Sequence, residues 1–430
     1  MYCGYITTIK EIHKHSNADR LACATIFGNN VIVDLTYEVG KRVVYFPVDG
    51  QLSEEFCKDN DLVRRKDENG KQAGGYLDPD KRNIRAIKLR GEKSEGLALP
   101  IESLSKYCNV DELKDGDQIT VLNGHEICCK YIPKRNHSGG GSGGNRTRNS
   151  KERDKAEWPL FEQHVETEQL AYNEKAFKPG DICYITLKCH GTSARTSNTI
   201  HVLQKKQTLM DKILHRPPKY ELSYDVISGT RRTVLRDYEH GYYGNDAFRK
   251  GFHDFFAERL PKNVCVYYEI VGYVDENTPI MGRCKNKLIK DPEFVKQYGE
   301  ETVFHYGCKP GESRCFVYRM TMTNQDGFTV EIPTEQCKLL CEKMGVEFVP
   351  IFEKFIFTTW DDLMQRVEKY YDGPDPIGKT HIREGVVVRI DNRESFTAYK
   401  HKNFNFKVLS GIMIDNADAD KIDEEILSEM

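Results

Sequence analysis

Residues 136–145 read Asn-His-Ser-Gly-Gly-Gly-Ser-Gly-Gly-Asn. Such a run has almost no side chain to bury and stays flexible. It therefore cuts the chain into parts that must each assemble a hydrophobic core of their own. The 430 residues are enough for two or three domains. The expected layout is a domain over 1–130, a flexible Gly/Ser/Arg linker over 131–154, a larger domain over 155–410, and an acidic tail over 411–430. In the tail, Asp415, Asp418, Asp420, Asp423, Glu424, Glu425 and Glu429 face only Lys421, which predicts a solvated, weakly helical end.

Hydrophobic residues make up 39% of the chain and charged residues 30%, which suits a soluble globular protein. No run of about 18 apolar residues occurs, so no membrane span is expected, and the first residues, Met1-Tyr2-Cys3-Gly4-Tyr5, lack the basic-then-apolar order of a signal peptide. The 14 cysteines are scattered without Cys-x2-Cys units. Reduced thiols in an intracellular protein, cytoplasmic or nuclear, are the expectation, and a structural zinc site is not. A net charge of −3 excludes coating nucleic acid by bulk charge. Contact with nucleic acid would rest on local patches: Lys205-Lys206, Arg231-Arg232, and the linker's Arg135, Arg146, Arg148, Lys151 and Arg153.

The first part alternates short strands with polar turns. Leu21–Phe27, a Gly28-Asn29-Asn30 turn and Val31–Val33 predict a hairpin; 42–47, 84–89 and 118–122 add strands. Five short strands suit a small barrel of OB type. The second part mixes both kinds of element, so the fold class is α+β. Apolar spacing predicts helices over 246–256, over 334–345 with Thr334 as N-cap and Gly345 as terminator, and over 358–367.

Between those helices lie strands that end in charged residues. Cys183–Leu187 runs into Lys188-Cys189-His190-Gly191, a lysine at a strand end held by a tight turn. Val264–Tyr268 ends in Glu269. Glu384-Gly385 opens the β-branched run Val386-Val387-Val388. Lys400 and Lys402, at period two, share one face of a strand. An amine attacks phosphorus only when uncharged, so a nucleophilic Lys188 needs desolvation or cationic neighbours.

The order Lys-x-His-Gly, strand-borne Glu, Glu-Gly-x-Val-x-Arg and Lys-x-Lys resembles the covalent nucleotidyltransferases, which include polynucleotide ligases and mRNA capping enzymes. His190, where DNA ligases and capping enzymes usually carry Asp, and the Lys400-His401-Lys402-Asn403 segment resemble the RNA ligase branch. The stretches Ile12–Leu21 and Ile87–Gly96 resemble the two signatures of tRNA-binding OB domains. A leading OB domain before a Lys-x-His-Gly domain resembles the Deinococcus-type RNA ligases (RNA ligase family 5). That resemblance implies a catalytic domain of antiparallel sheets flanked by helices, and no C-terminal OB domain.

It also implies ATP and Mg²⁺ (or Mn²⁺) as cofactors, and a nicked RNA or RNA/DNA duplex as partner. Lys188 would carry AMP, Glu269 would bind the ribose, Glu384 would organise the metal, and Lys400 and Lys402 would grip the phosphates. His190 and Gly191 would shape the turn around the nucleotide. Glu168 and Gln169 would help form the adenine pocket, with Phe316 or Tyr318 stacking on the base. Arg195, Arg231 and Arg232 would contact nucleic-acid phosphates, as would Lys88 and Arg90 in the leading domain, where the Asn17-Ala18-Asp19 turn has a structural reading. No protein partner is indicated, and a monomer is the default. The alternatives are a capping guanylyltransferase and a non-catalytic RNA- or tRNA-binding OB protein.

Overall fold

The computed structural model describes residues 2–66, 72–75, 77–131, 148–205, 207, 210, 213–231, 233–239 and 246–415. Lys206, Arg232, the Gly/Ser run and the tail beyond Asp415 lie outside them. The protein is mixed α+β, with far more strand than helix, and it divides into two compact units.

The first unit takes the N-terminal residues together with Asn286–Val295 and the helix Phe404–Asp415. Leu97–Pro100, Arg42–Phe46, Gly4–Thr8 and Gln118–Ile119 form a four-stranded antiparallel sheet in that order. Ile6, Val44, Phe46 and Leu99 join Leu52, Phe56, Leu104 and Ile119 in one core. The hairpin expected at 21–33 is present as Leu21–Ile26 and Asn29–Asp34, turning at Phe27 and Gly28 with positive φ. The run 84–89 does not form one strand: Asn83–Ile84 and Ala86–Leu89 join different sheets. Among the described residues these strands sit in separate sheets of two to four strands, and no hydrogen-bonded ring closes.

The two signature stretches of this unit bind each other. His15 Nε2 lies 3.1 Å from the Leu89 carbonyl oxygen, and the Ser16 hydroxyl donates to Glu92 at 2.6 Å. The buried Ser94 hydroxyl accepts the Ile32 N–H at 3.0 Å. The helix Phe404–Asp415 joins the unit because Lys407 pairs with Glu95 at 3.1 Å, both largely shielded, and Lys93 sits 4.8 Å over the Phe404 ring. This differs from the boundary expected at 410. The expected linker also ends early, since Arg148–Glu157 is a helix whose buried Asp154 accepts from Arg236 at 2.7 Å.

The second unit is built on two sheets. Its main strands are β1 (Ile182–Lys188), β2 (Thr192–Gln204), β3 (Tyr220–Gly229), β4 (Val264–Gly272), β5 (Ser313–Thr323), β6 (Ile351–Ile356), β7 (Gly385–Ile390) and β8 (Thr397–Lys402). One sheet runs Glu168–Gln169, β8, β7, β1, β6; the other runs Val234–Leu235, β3, β2, β4, β5, Thr329–Glu331. Pairing is antiparallel except where Glu168–Gln169 lies along β8 and Glu347–Phe348 along β5. β1 and β2 belong to different sheets, and only Cys189, His190 and Gly191 connect them. That turn brings residues of the two sheets to one place.

Helices occur at Ala247–Arg259, Thr334–Met344 and Trp360–Glu368. Thr359 caps the last, accepting the Asp362 N–H, and Gly345 ends the middle one in the left-handed region at φ 73°. Thr334 is not an N-cap but the first helical residue. Its N–H and hydroxyl both donate to the Asp391 carboxylate, at 3.0 and 2.8 Å, so a side chain from the neighbouring sheet satisfies the helix start. No helix among the described residues is long and apolar enough to cross a membrane.

Candidate active site

Antiparallel pairing puts directly opposed residues on one face. Lys188 opposes Gly385, and Gly385 opposes Lys402; one step along, Thr186 opposes Val387 and Val387 opposes Lys400. The three lysines therefore emerge from one face of one sheet. Gly385 is required at the centre of that row: its φ is +147°, and a Cβ there would lie 2.1 Å from the His401 carbonyl oxygen.

Glu384, one residue before Gly385, is 2% exposed. Its Oε1 is 3.0 Å from Lys188 Nζ and 3.5 Å from Lys402 Nζ; its Oε2 is 3.7 Å from His190 Nδ1. Burial pushes the carboxyl up, but Lys188, Lys402 and His190 outweigh it and bring it down to about 2. Its main chain is fixed as well, because the Asn403 N–H donates to the Glu384 carbonyl at 2.7 Å, while the Asn403 side chain donates to Asp372 at 2.6 Å. Lys400 is part-buried. Burial, then Lys402, Lys188 and Arg231, lower its ammonium from 10.5 to about 7, with Glu384 pulling the other way. One lysine of the row is thus poised to be uncharged near neutrality.

The other sheet supplies Glu269 from β4, opposite Ser193 of β2 and Phe316 of β5. Its two oxygens accept the Gly191 N–H at 3.1 Å and the Ser193 hydroxyl at 2.9 Å, so it fastens the turn behind Lys188. Gly191 has no room for a side chain; a Cβ would lie 2.2 Å from the Ile270 carbonyl oxygen. On the far side, the buried Arg249 donates to the Thr192 hydroxyl at 2.6 Å.

Tyr318, part-buried, lies at a register shift in β5 two residues after Phe316 and packs against the cluster that holds Tyr267. Burial and then Glu269 push its phenol up, with Arg231, Arg319 and Lys188 opposing. That places the Tyr318 ring in the electrostatic field of both Lys188 and Glu269. Phe316 is 1% exposed and lies under the Arg314 guanidinium. Arg231 acts on the same group of residues and lies 3.9 Å from Glu166. Arg195 is 3% exposed; it stacks 4.5 Å over Phe161 and donates to the Thr230 carbonyl. Glu168 is exposed and paired in register with Tyr399, beside Lys400. Lys88 and Arg90 lie on the 86–95 hairpin of the first unit, with Arg90 at its left-handed turn.

Four contributors were not singled out by the sequence. His164 bonds Tyr318 at 3.4 Å, and burial with Arg231, Arg319, Arg195 and Lys188 lowers its imidazole to about 2. Ser193, Asn403 and Tyr306 hold the Glu269, Glu384 and His190 segments. Ser193 and Asn403 sit within or next to the quoted motifs, so proximity was an available signal; Tyr306 offered none.

No protein-family model matches the chain, and no curated protein matches it in sequence. Solved structures match it in fold. Naegleria gruberi RNA ligase with PPi is 17% identical, with 97% of this chain and 99% of that one covered and a TM-score of 0.59. A mutant of Naegleria gruberi RNA ligase with AMP and Mn is 18% identical over 94% of this chain and 97% of that one, at a TM-score of 0.58. Another mutant with ATP and Mn is 17% identical, with 94% and 98% covered and a TM-score of 0.58. Over almost its whole length, this chain has the α+β fold of those RNA ligases.

Proposed function

We propose that this protein is an ATP-dependent RNA ligase that seals 3′-hydroxyl/5′-phosphate nicks through a Lys188–AMP intermediate. The observation that carries this reading is the row of Lys188, Lys400 and Lys402 around buried Glu384, with Glu269 fastening the nucleophile turn. A cluster rich in lysine calls for a polyanion, and a nucleoside triphosphate supplies one at the end of β1. The fold shared with Naegleria gruberi RNA ligase, a structure of which holds PPi and others of which hold AMP or ATP with Mn, supports the same reading.

The neutral Lys188 amine attacks the α-phosphorus of ATP. An N–P bond forms, the Pα–O bond to the β-phosphate breaks, pyrophosphate leaves with that electron pair, and the amine proton is lost. A 5′-phosphate oxygen of the nicked strand then attacks the same phosphorus and frees Lys188, giving an adenylated end. The 3′-hydroxyl attacks the 5′-phosphorus and AMP departs. Lys400 and Lys402 stabilise the phosphate charge, Glu269 with Ser193 faces the ribose, and Tyr318 is the favoured base-stacking ring over the more deeply buried Phe316.

Among the described residues no three His, Cys, Asp or Glu side chains gather as a metal cage. Buried, anionic Glu384 fits a Mg²⁺ or Mn²⁺ ion that keeps water and phosphate oxygens as its other ligands. Such an ion would neutralise triphosphate charge. In the first unit, the OB-type and Deinococcus-type assignments rest on the 12–21 and 87–96 stretches, whose side chains bond one another. Lys88 and Arg90 would then meet RNA phosphates. All 14 cysteines are free thiols, which favours a reducing compartment, cytoplasm or nucleus.

Incubation with α-labelled ATP or GTP and Mg²⁺ tests the reading. Protein-bound label from ATP that survives alkali and is released by acid, as a lysine phosphoramidate is, and that is lost in Lys188→Ala, is the expected result. Label from GTP alone would indicate a capping enzyme, and no label from either would indicate an RNA-binding protein without catalysis.

A further inference from the structure

Behind the nucleophile turn lies a group of aromatic residues that the proposed chemistry leaves unused. The Tyr306 hydroxyl accepts the backbone N–H of His190 at 2.6 Å, and the Tyr306 side chain is 1% exposed. The backbone is bent to bring it there, with Tyr306 at φ 52° and Gly307 at φ 80°, both in the left-handed region. Gly378 closes over this bend so tightly that a Cβ would lie 2.3 Å from the Gly307 nitrogen. Asp375, fully buried, pins the Gly378 loop by accepting the N–H groups of Ile377, Gly378 and Lys379 at 2.8 to 2.9 Å. The His381 ring meets the Tyr306 ring edge-on at 4.5 Å, and Phe304 meets the His190 ring edge-on at 4.8 Å.

We infer that Tyr306 is a positioning residue for Lys188. It sets the direction of the amine through the His190 main chain, with His381 packed on the phenol and Phe304 packed on both His381 and His190. The inference rests on the adenylation reading above. Its physical basis is that Cys189–Gly191 is a three-residue connection between two sheets. Glu269 holds that connection at Gly191 and Tyr306 holds it at His190, so two fixed points define where the strand end aims Lys188. In-line attack tolerates little error; a displacement of about 1 Å costs roughly 100-fold in rate.

Tyr306→Phe keeps the ring and removes only the acceptor. In single-turnover labelling with α-labelled ATP and Mg²⁺, its maximal rate of Lys188–AMP formation should fall by about 10-fold or more, with half-saturating ATP unchanged. Sealing of a nick whose 5′ end already carries AMP does not need the amine and should proceed at the wild-type rate. Phe304→Leu loosens the packing without touching the hydrogen bond, and should show a smaller loss confined to the same step. Wild-type labelling by Tyr306→Phe would overturn the inference. An equal loss in both steps would also overturn it, assigning Tyr306 a general structural role. If the wild-type protein takes no label from ATP, the ligase reading itself fails and this inference falls with it.

Discussion

Two buried charge clusters in the second unit differ in balance. In one, Arg319 and Arg389 face Glu331 and Asp391. Arg319 grips Glu331 through Nε at 3.0 and 3.1 Å, and Arg389 Nε lies 3.1 Å from Asp391, which also caps Thr334. Two cations meet two carboxylates, each of these side chains under a tenth exposed. In the other, Glu384 pairs with Lys188 at 3.0 Å and Lys402 at 3.5 Å, Lys400 lies in the same row, and Glu269 accepts an N–H and a hydroxyl. A cluster balanced in charge serves the fold. A row of neighbouring cations raises their free energy, a contribution that adds to burial in lowering the Lys400 ammonium, and is relieved by an incoming anion.

The sharpest way to break this distinction is Glu384→Ala. Removing the shared carboxylate leaves Lys188 and Lys402 to repel each other and Lys400. Sealing should fall on the order of 10³-fold or more, the scale of losing a preorganised electrostatic group. Normal sealing by this variant would remove Glu384 from the site. Acid stability sharpens the point. Glu384 is depressed from 4.5 to about 2 in the folded protein, so its contribution is present above 4.5 and lost as pH falls toward 2. Between those values Glu384→Gln should show a flatter dependence of unfolding free energy on pH than the wild type.

Glu331→Ala attacks the balanced cluster instead. Arg319 would keep a buried charge with its main partner gone, a change that costs about 3–5 kcal/mol in comparable settings. The melting midpoint should drop while label retained per folded molecule stays at the wild-type level. Lost labelling with an unchanged midpoint would mean that the two clusters are not separable by function.

How much of this was legible in the sequence depends on distance along the chain. The Lys188 turn and the shared face of Lys400 and Lys402 follow from local rules of turn residues and strand period, whereas the need for Gly at 191 and 385 comes from the Ile270 and His401 carbonyls on neighbouring strands. The helices at 247–259 and 360–368 were likewise readable from apolar spacing. What escaped were pairings set by tertiary packing: Tyr306 with His190, 116 residues apart, and Lys407 with Glu95, 312 apart. Thr334 misled for the same reason. A Thr before an apolar run ordinarily caps its own helix, but here Asp391 from the end of β7 does so. At Arg195 the sequence does not reveal the surroundings that the fold supplies, the Phe161 ring and the Thr230 carbonyl.

Lys400→Met separates strain within the lysine row from simple proximity. The Lys400 ammonium titrates at about 7 when folded and at its ordinary 10.5 when unfolded. Between those values the unfolded chain holds the extra proton, so the wild type should gain stability as pH rises from about 7 toward 10.5. Below that window the folded protein must carry a poorly solvated charge. The variant should therefore be more stable than wild type at pH 6, with the gap closing at alkaline pH, and it should still fail to seal nicks. Parallel stability curves for the two proteins would show that Lys400 is not strained, and the contrast with the Arg319 cluster would lose its physical basis.

The smallest expected effect lies where no carboxylate is paired in register. Lys88, half-buried, sits across from the exposed Lys93 on the 86–95 hairpin. Water screens such a like-charge pair, so Lys88→Ala should leave the melting midpoint unchanged. Its effect should appear in RNA binding, as a modest loss that is uniform across sequences, with the slope of log affinity against log salt reduced by about 1. An unchanged salt slope would mean that this hairpin does not touch the phosphate backbone. The electrostatic attraction for RNA would then belong to the lysine row of the second unit and its neighbours rather than to the N-terminal unit.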